Sequence, residues 1–383
     1  MNSFDVSIET IRARRGKKWT AYGPDVLAAW VADMDFEPAP AILTATQGVL
    51  DRYDFGYQFF LDDELVIGAL ARWMDRQHNW KIDESSVTLF GDVLQALVAF
   101  INLYSEPGDG VVLQTPIYPP FIEAVVGTGR TIVDHQLSSA DTGYQLDIDA
   151  LAALIDDRTR ILMLANPHNP TGRVFSREEL TGLGELAVKH DLLILADEIH
   201  ADLIWDGTHI PFATIDPRFE ERCVTLTSAT KSFNIAGLRV AAGIMGSPAI
   251  KERFETFHRF FWGGVNSMGA EATIAAWTEC DDWLDGLRSQ LLKNRQTAVE
   301  RINAMPGLST VAPEATFLLW IDCSELIEMG VTDRPFRFFV DNGVALNNGH
   351  DFGPHGTSHV RLNFATSEAV LGMILDKMEA AVS

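Results

Sequence analysis

The stretch "VTLTSATKSFNIAGLR" (224–239) begins as an apolar run, passes through small residues and reaches Lys231 just where the run ends. Three similar runs precede it: "GVVLQTP" (110–116), "TRILMLANP" (159–167) and "DLLILADE" (191–198). Stretches with helical apolar spacing separate them, among them "SREELTGLGELAVKH" (176–190), whose Ser176 and Glu179 form a capping-box pattern. Short, continuously apolar runs alternating with helices predict strands of a parallel sheet covered on both faces. In such sheets ligands collect beyond the carboxyl ends of the strands. Tyr118, Asn166 to Asn169, Asp197 and Lys231 all stand at those ends.

A carboxylate and an amine are therefore expected to line one crevice. Asp197 follows five apolar residues, and a buried charge there is costly unless a cation meets it. The simplest reading is an Asp197–Lys231 ion pair. A chemical reading also exists, because a desolvated lysine can bond a carbonyl carbon while a buried carboxylate keeps a ring nitrogen protonated. Pyridoxal phosphate needs both groups and an anion site as well. "FGDVLQALVAF" (90–100) offers a glycine turn into a helix with free amides at Val93 and Leu94, and Ser228 and Arg239 flank Lys231.

The chain has 383 residues, 47% hydrophobic and 22% charged, enough for two or three domains. Thirty basic against 53 acidic residues give −23, which disfavours nucleic acid and anionic membrane surfaces as partners. Three cysteines without CxxC spacing, no apolar leader and no membrane-length run point to a cytoplasmic protein. After about residue 248, "PAIKERFETFHRFF" and "DDWLDGLRSQLLKNRQTAVERINAM" read as long helices. "ATFLLWIDC" (315–323) and "HVRLNFA" (359–365) then read as strands. The expected division is a large domain over 46–275 and a smaller α/β domain over 276–383, joined by residues 1–45.

"TKS" imitates the end of a phosphate-binding P-loop, but the glycines needed at 225 and 230 are both threonine. Dinucleotide, zinc-protease and serine-hydrolase signatures are missing too. His350, His355 and His359 sit among prolines and glycines with Asp351 as the nearby carboxylate, so no metal site is expected. The aromatic stretch "HRFFWGGVN" (258–266) suits a subunit contact or a site entrance, and an exposed patch of that kind would instead mark a protein-binding module.

"ANPHNPTGRVF" (165–175), "DEIHADL" (197–203) and "SATKSFNIAGLR" (228–239), in that order, resemble fold-type I pyridoxal-phosphate enzymes of the class I/II aminotransferase superfamily. With "WVADMDF" (30–36) and "FGY" (55–57) they resemble the narrower MalY/PatB-type cystathionine β-lyase (cysteine-S-conjugate β-lyase) subfamily. The resemblance implies an α/β fold with a mostly parallel seven-stranded sheet, pyridoxal 5′-phosphate as cofactor and a homodimer. It implies that Lys231 carries the cofactor and removes the Cα proton, and that Asp197 meets the pyridinium nitrogen. Asn169 is implied at the phenolic oxygen, Tyr118 stacked on the ring, and Val93, Leu94, Ser228 and Arg239 around the phosphate. Tyr57 is implied to reach the neighbouring subunit's phosphate. Arg361 and the Ala32 amide are implied to hold the substrate carboxylate. His200 stands where many relatives have tyrosine. The implied activity is β-elimination from cystathionine and related cysteine S-conjugates; the alternative is an amino-acid aminotransferase.

Overall fold

A computed structural model describes residues 3–56, 61–140, 143–258, 261 and 263–383. Its centre is a seven-stranded sheet. In chain order the strands are β1 (Val87–Phe90), β2 (Gly110–Thr115), β3 (Thr131–Gln136), β4 (Thr159–Ala165), β5 (Leu193–Asp197), β6 (Cys223–Thr227) and β7 (Ala241–Met245). They lie in the order β1-β7-β6-β5-β4-β2-β3, with β7 antiparallel to both neighbours and every other pairing parallel. The seven-stranded, mostly parallel sheet is the expected one.

The apolar runs are continuous because successive side chains enter two different cores. Val111, Leu113, Ile161, Met163 and Leu195 pack on one face with the helices Val93–Tyr104 and Pro119–Gly127. Val112, Leu162, Leu164, Ile194 and Ala196 pack on the other, with the helix Arg177–His190. A strand buried on both faces has no polar side to display. The capping box forms as the sequence suggests: Ser176 Oγ accepts from the Glu179 amide (3.2 Å) and Glu179 accepts from the Ser176 amide (2.7 Å).

A second, antiparallel sheet follows in the C-terminal part: β8 (Ser309–Thr310), β9 (Leu318–Asp322), β10 (Asn347–Asn348) and β11 (His359–Asn363), ordered β8-β9-β11-β10. The 24-residue helix Asp281–Ala304 packs on it and on the closing helix Glu368–Val382. The other expected long helix is short: it covers Pro248–Glu255, with Thr256 as its C-cap. Leu27–Ala28 pairs in parallel with Val344–Ala345, and Asn363 Nδ2 donates to the carbonyls of Val31 (2.6 Å) and Asp33 (2.8 Å). The N-terminal segment is thereby tied to the second sheet and lies across the strand ends of the first.

Candidate active site

The carboxyl ends of β1, β2, β4, β5 and β6, together with the start of the reversed strand β7, converge on one cleft. It encloses about 870 Å³ of space open to solvent at its mouth. Ala32, Val93, Leu94, Tyr118, Asn169, Asp197, His200, Ser228, Lys231 and Arg239 all line it. Tyr57 lies outside the described residues.

The ion pair that charge alone suggests is not made. Asp197 takes one hydrogen bond, from the Ile199 amide (3.0 Å), and Lys231 gives one, to the Ala32 carbonyl (2.9 Å). Asp197 is buried and Lys231 half-buried in the cleft wall, and neither has an ion-pair partner among the described residues. Burial pushes the Asp197 carboxyl up to about 7, against the opposing pull of the Ile199 amide and Lys231. Burial likewise pushes the Lys231 ammonium below the usual lysine range; Asp33 opposes this and Arg361 adds to it. The lysine is thus biased toward a free, nucleophilic amine.

Arg361 lies in the middle of β11, paired with Trp320 on one side and Asn347 on the other. It is only 2% exposed and meets no carboxylate among the described residues. Its guanidinium donates to Asn169 Oδ1 (2.8 Å), Asn347 Oδ1 (2.6 Å) and the Trp30 carbonyl (3.3 Å), while Nε has no partner. Burial lowers it to about 10. A buried cation with only neutral acceptors suits a carboxylate that arrives with a ligand. Beside it, His200 is pushed down to about 3 by burial and by the charges of Lys231 and Arg361, so it is neutral. Its Nδ1 is buried without a partner. Burial raises the Tyr118 hydroxyl, which keeps its proton.

An anion cradle stands at the other end. Asp92 caps the helix Val93–Tyr104 by accepting from the Gln95 amide (2.7 Å). The Val93 and Leu94 amides, one residue and two residues past that cap, are left as open donors at a helix N-terminus. Ser228 Oγ, 2.5 Å from the Val240 carbonyl, and Arg239, paired with Asp92, complete the ring of polar groups. Amine, unpaired carboxylate, anion cradle and aromatic wall together fit pyridoxal phosphate in its charge pattern.

Sequence reading missed the layer beneath. Asp202 accepts from Ser232 (2.7 Å) and Trp73 (3.2 Å) and contacts His78 Nε2 (3.2 Å). Burial would raise its carboxyl, but His78 and Ser232 outweigh that and hold it below the usual range. Glu198 meets His209 (3.0 Å) and the Phe212 amide (2.8 Å). The residues immediately after Lys231 and Asp197 are thus both anchored in buried polar contacts. The "DEIHADL" stretch held the only available signal, three carboxylates in six residues beside an apolar strand.

Comparison with known proteins places the chain among relatives. Residues 32–378 match the family described as aminotransferase class I and II. The chain is 36% identical over 377 residues to cystathionine beta-lyase PatB of Bacillus subtilis, covering 96% of each. It is 31% identical to cystathionine beta-lyase of Corynebacterium glutamicum, covering 95% of this chain and 96% of that one. The crystal structure of the PLP-bound C-S lyase from Staphylococcus hominis superposes with a TM-score of 0.92 at 27% identity, covering 100% and 98% of the two chains. The chain belongs to the class I and II aminotransferase family.

Proposed function

We propose that the protein is a pyridoxal-phosphate-dependent carbon–sulfur β-lyase acting on cystathionine and related cysteine S-conjugates. Asp197 and Lys231 line one cleft and Arg361 reaches its wall through Asn169, and none of the three has an ion-pair partner among the described residues; this observation carries the reading. The cofactor and the substrate carboxylate supply those partners. Near-full-length similarity to cystathionine β-lyases selects elimination within the family.

Bound pyridoxal phosphate supplies an electron sink for negative charge at the substrate Cα. The chain does the rest. Asp197 holds the ring nitrogen protonated, and the same proton relieves its own burial. Val93, Leu94, Ser228 and Arg239 hold the phosphate, and Tyr118 covers the ring. Asn169 and His200, both lining the cleft, would hold the phenolic oxygen, His200 as a neutral hydrogen-bond donor. Arg361, with the Ala32 amide opposite, fixes the substrate carboxylate. With the carboxylate held there, Lys231 Nζ would be the base that takes the Cα proton. Loss of the Cβ thiolate follows, and with one water the products are a thiol, pyruvate and ammonia.

Two copies complete the assembly in this reading, with Tyr57 reaching the neighbour's phosphate. Exposed Tyr53, Phe55 and Phe261 support an apolar subunit contact. The chain divides into the large domain 46–275 and the small domain formed by 1–45 with 276–383. No helix among the described residues is long and apolar enough to cross a membrane. The free, buried Cys223, Cys280 and Cys323 suit a reducing cytoplasm. Purified holoenzyme should release pyruvate from cystathionine with no keto acid added. A strict requirement for 2-oxoglutarate would instead make it an aminotransferase.

A further inference from the structure

The reactive cleft has a neighbour. Ala236 lines both it and a second cleft of about 780 Å³, and Asp33, next in the chain to Ala32, lines the second. The wall between them is stitched: Asn234 Oδ1 accepts from the Met34 amide (3.0 Å) and Asn234 Nδ2 donates to the Phe36 carbonyl (3.1 Å). The two clefts are therefore neighbours that meet at Ala236.

Four ionic side chains line the second cleft. Lys18 and Asp35 are spoken for: they form a buried ion pair at 2.8 Å, and Trp19 Nε1 also donates to Asp35 (2.7 Å). Arg14 and Asp33 are different. Both are half-buried, and neither side chain has a hydrogen bond or ion pair among the described residues. Asp33 is held in place through its backbone, whose carbonyl accepts from Lys18 Nζ (3.1 Å) and Asn363 Nδ2 (2.8 Å) and whose amide donates to the Val31 carbonyl (2.8 Å). Its charge is felt at Lys231, which it holds partly against the fall in pKa, so the spare carboxylate lies close to the reactive amine.

A cleft with one neutralised ion pair, one spare cation and one spare anion is complementary to a zwitterion. Partial burial of an unpaired charge is unfavourable and is relieved by a ligand of opposite sign. We propose that Arg14 and Asp33 form a distal subsite that binds the carboxylate and the ammonium of a leaving group that is itself an α-amino acid, as in cystathionine and cystine. This rests on the β-lyase reading and assigns its substrate class: conjugates carrying a second amino-acid head, rather than simple S-alkyl cysteines.

Pyruvate release is measured for wild type, Arg14→Ala and Asp33→Asn with four substrates: L-cystathionine, S-(3-carboxypropyl)-L-cysteine, S-(3-aminopropyl)-L-cysteine and S-methyl-L-cysteine. The second substrate lacks the distal ammonium, the third lacks the distal carboxylate, and the fourth lacks both. A charge-assisted contact corresponds to a change of about tenfold or more. Arg14→Ala should therefore lower kcat/KM about tenfold for the two substrates with a distal carboxylate and leave the other two unchanged. Asp33→Asn alters the field at Lys231 as well, so its effect is read as a ratio to S-methyl-L-cysteine. That ratio should fall about tenfold for the two substrates with a distal ammonium. Equal losses on all four substrates, or no loss on cystathionine, would overturn the subsite. Absence of pyruvate from all four substrates with wild type would instead overturn the lyase reading itself.

Discussion

Asp197 shows how one residue links folding to cofactor binding. Its carboxyl is pushed up to about 7 by burial, so the folded apoprotein prefers it protonated while the unfolded chain does not. The native state then binds more protons between the unfolded value near 4 and about 7, and stability falls as pH rises through that window. The penalty approaches about 4 kcal/mol above pH 7. Asp197→Asn apoprotein should therefore be more stable than wild type at pH 8, with the difference shrinking toward pH 4, while losing affinity for pyridoxal phosphate. Urea unfolding of both apoproteins at the two pH values checks this, and a wild type that is the more stable at pH 8 would contradict it. Asp197 and Lys231 were legible because each ends an apolar run. The absence of an ion pair between them was not, because strand order and spacing do not fix side-chain reach.

At the scale of elements, the short helix Ala229–Ser232 that carries Lys231 is held through Ser232 by Asp202, which also binds His78 and Trp73 of the helix Leu61–His78. Asp202→Ala leaves those buried donors without an acceptor and should cost about 3 kcal/mol. Urea unfolding of the holoenzyme would show it, and a change below 1 kcal/mol would mean the contacts are dispensable. Strands β2, β4, β5 and β6 were legible as apolar runs because both their faces are buried. β3 was not, since it is an edge strand carrying Asp134 and His135. β7 was hidden by its small residues: a Cβ on Gly243 would stand 3.0 Å from the Phe90 ring, so a larger residue there would make that ring give way. The Asp202 contacts join residues 124 to 129 positions apart to 30 positions apart, a separation that no local pattern reports.

For the whole molecule, a chain with net charge −23 still exposes Tyr53 at 85%, Phe55 at 63% and Phe261 at 66%. Large apolar side chains this open suit a covered face. Sedimentation should give a dimer, and Phe55→Arg should shift it toward monomer with loss of activity; a wild-type monomer with full activity would contradict that assembly. The sheet, the cleft and the placement of its lining residues follow from the strand-end pattern, whereas the second cleft required the N-terminal segment to be seen lying across those ends. Everything rests on one tether. Holoenzyme reduced with borohydride and mapped by peptide mass should carry the pyridoxyl group on Lys231; a label on another lysine, or none, would contradict the account.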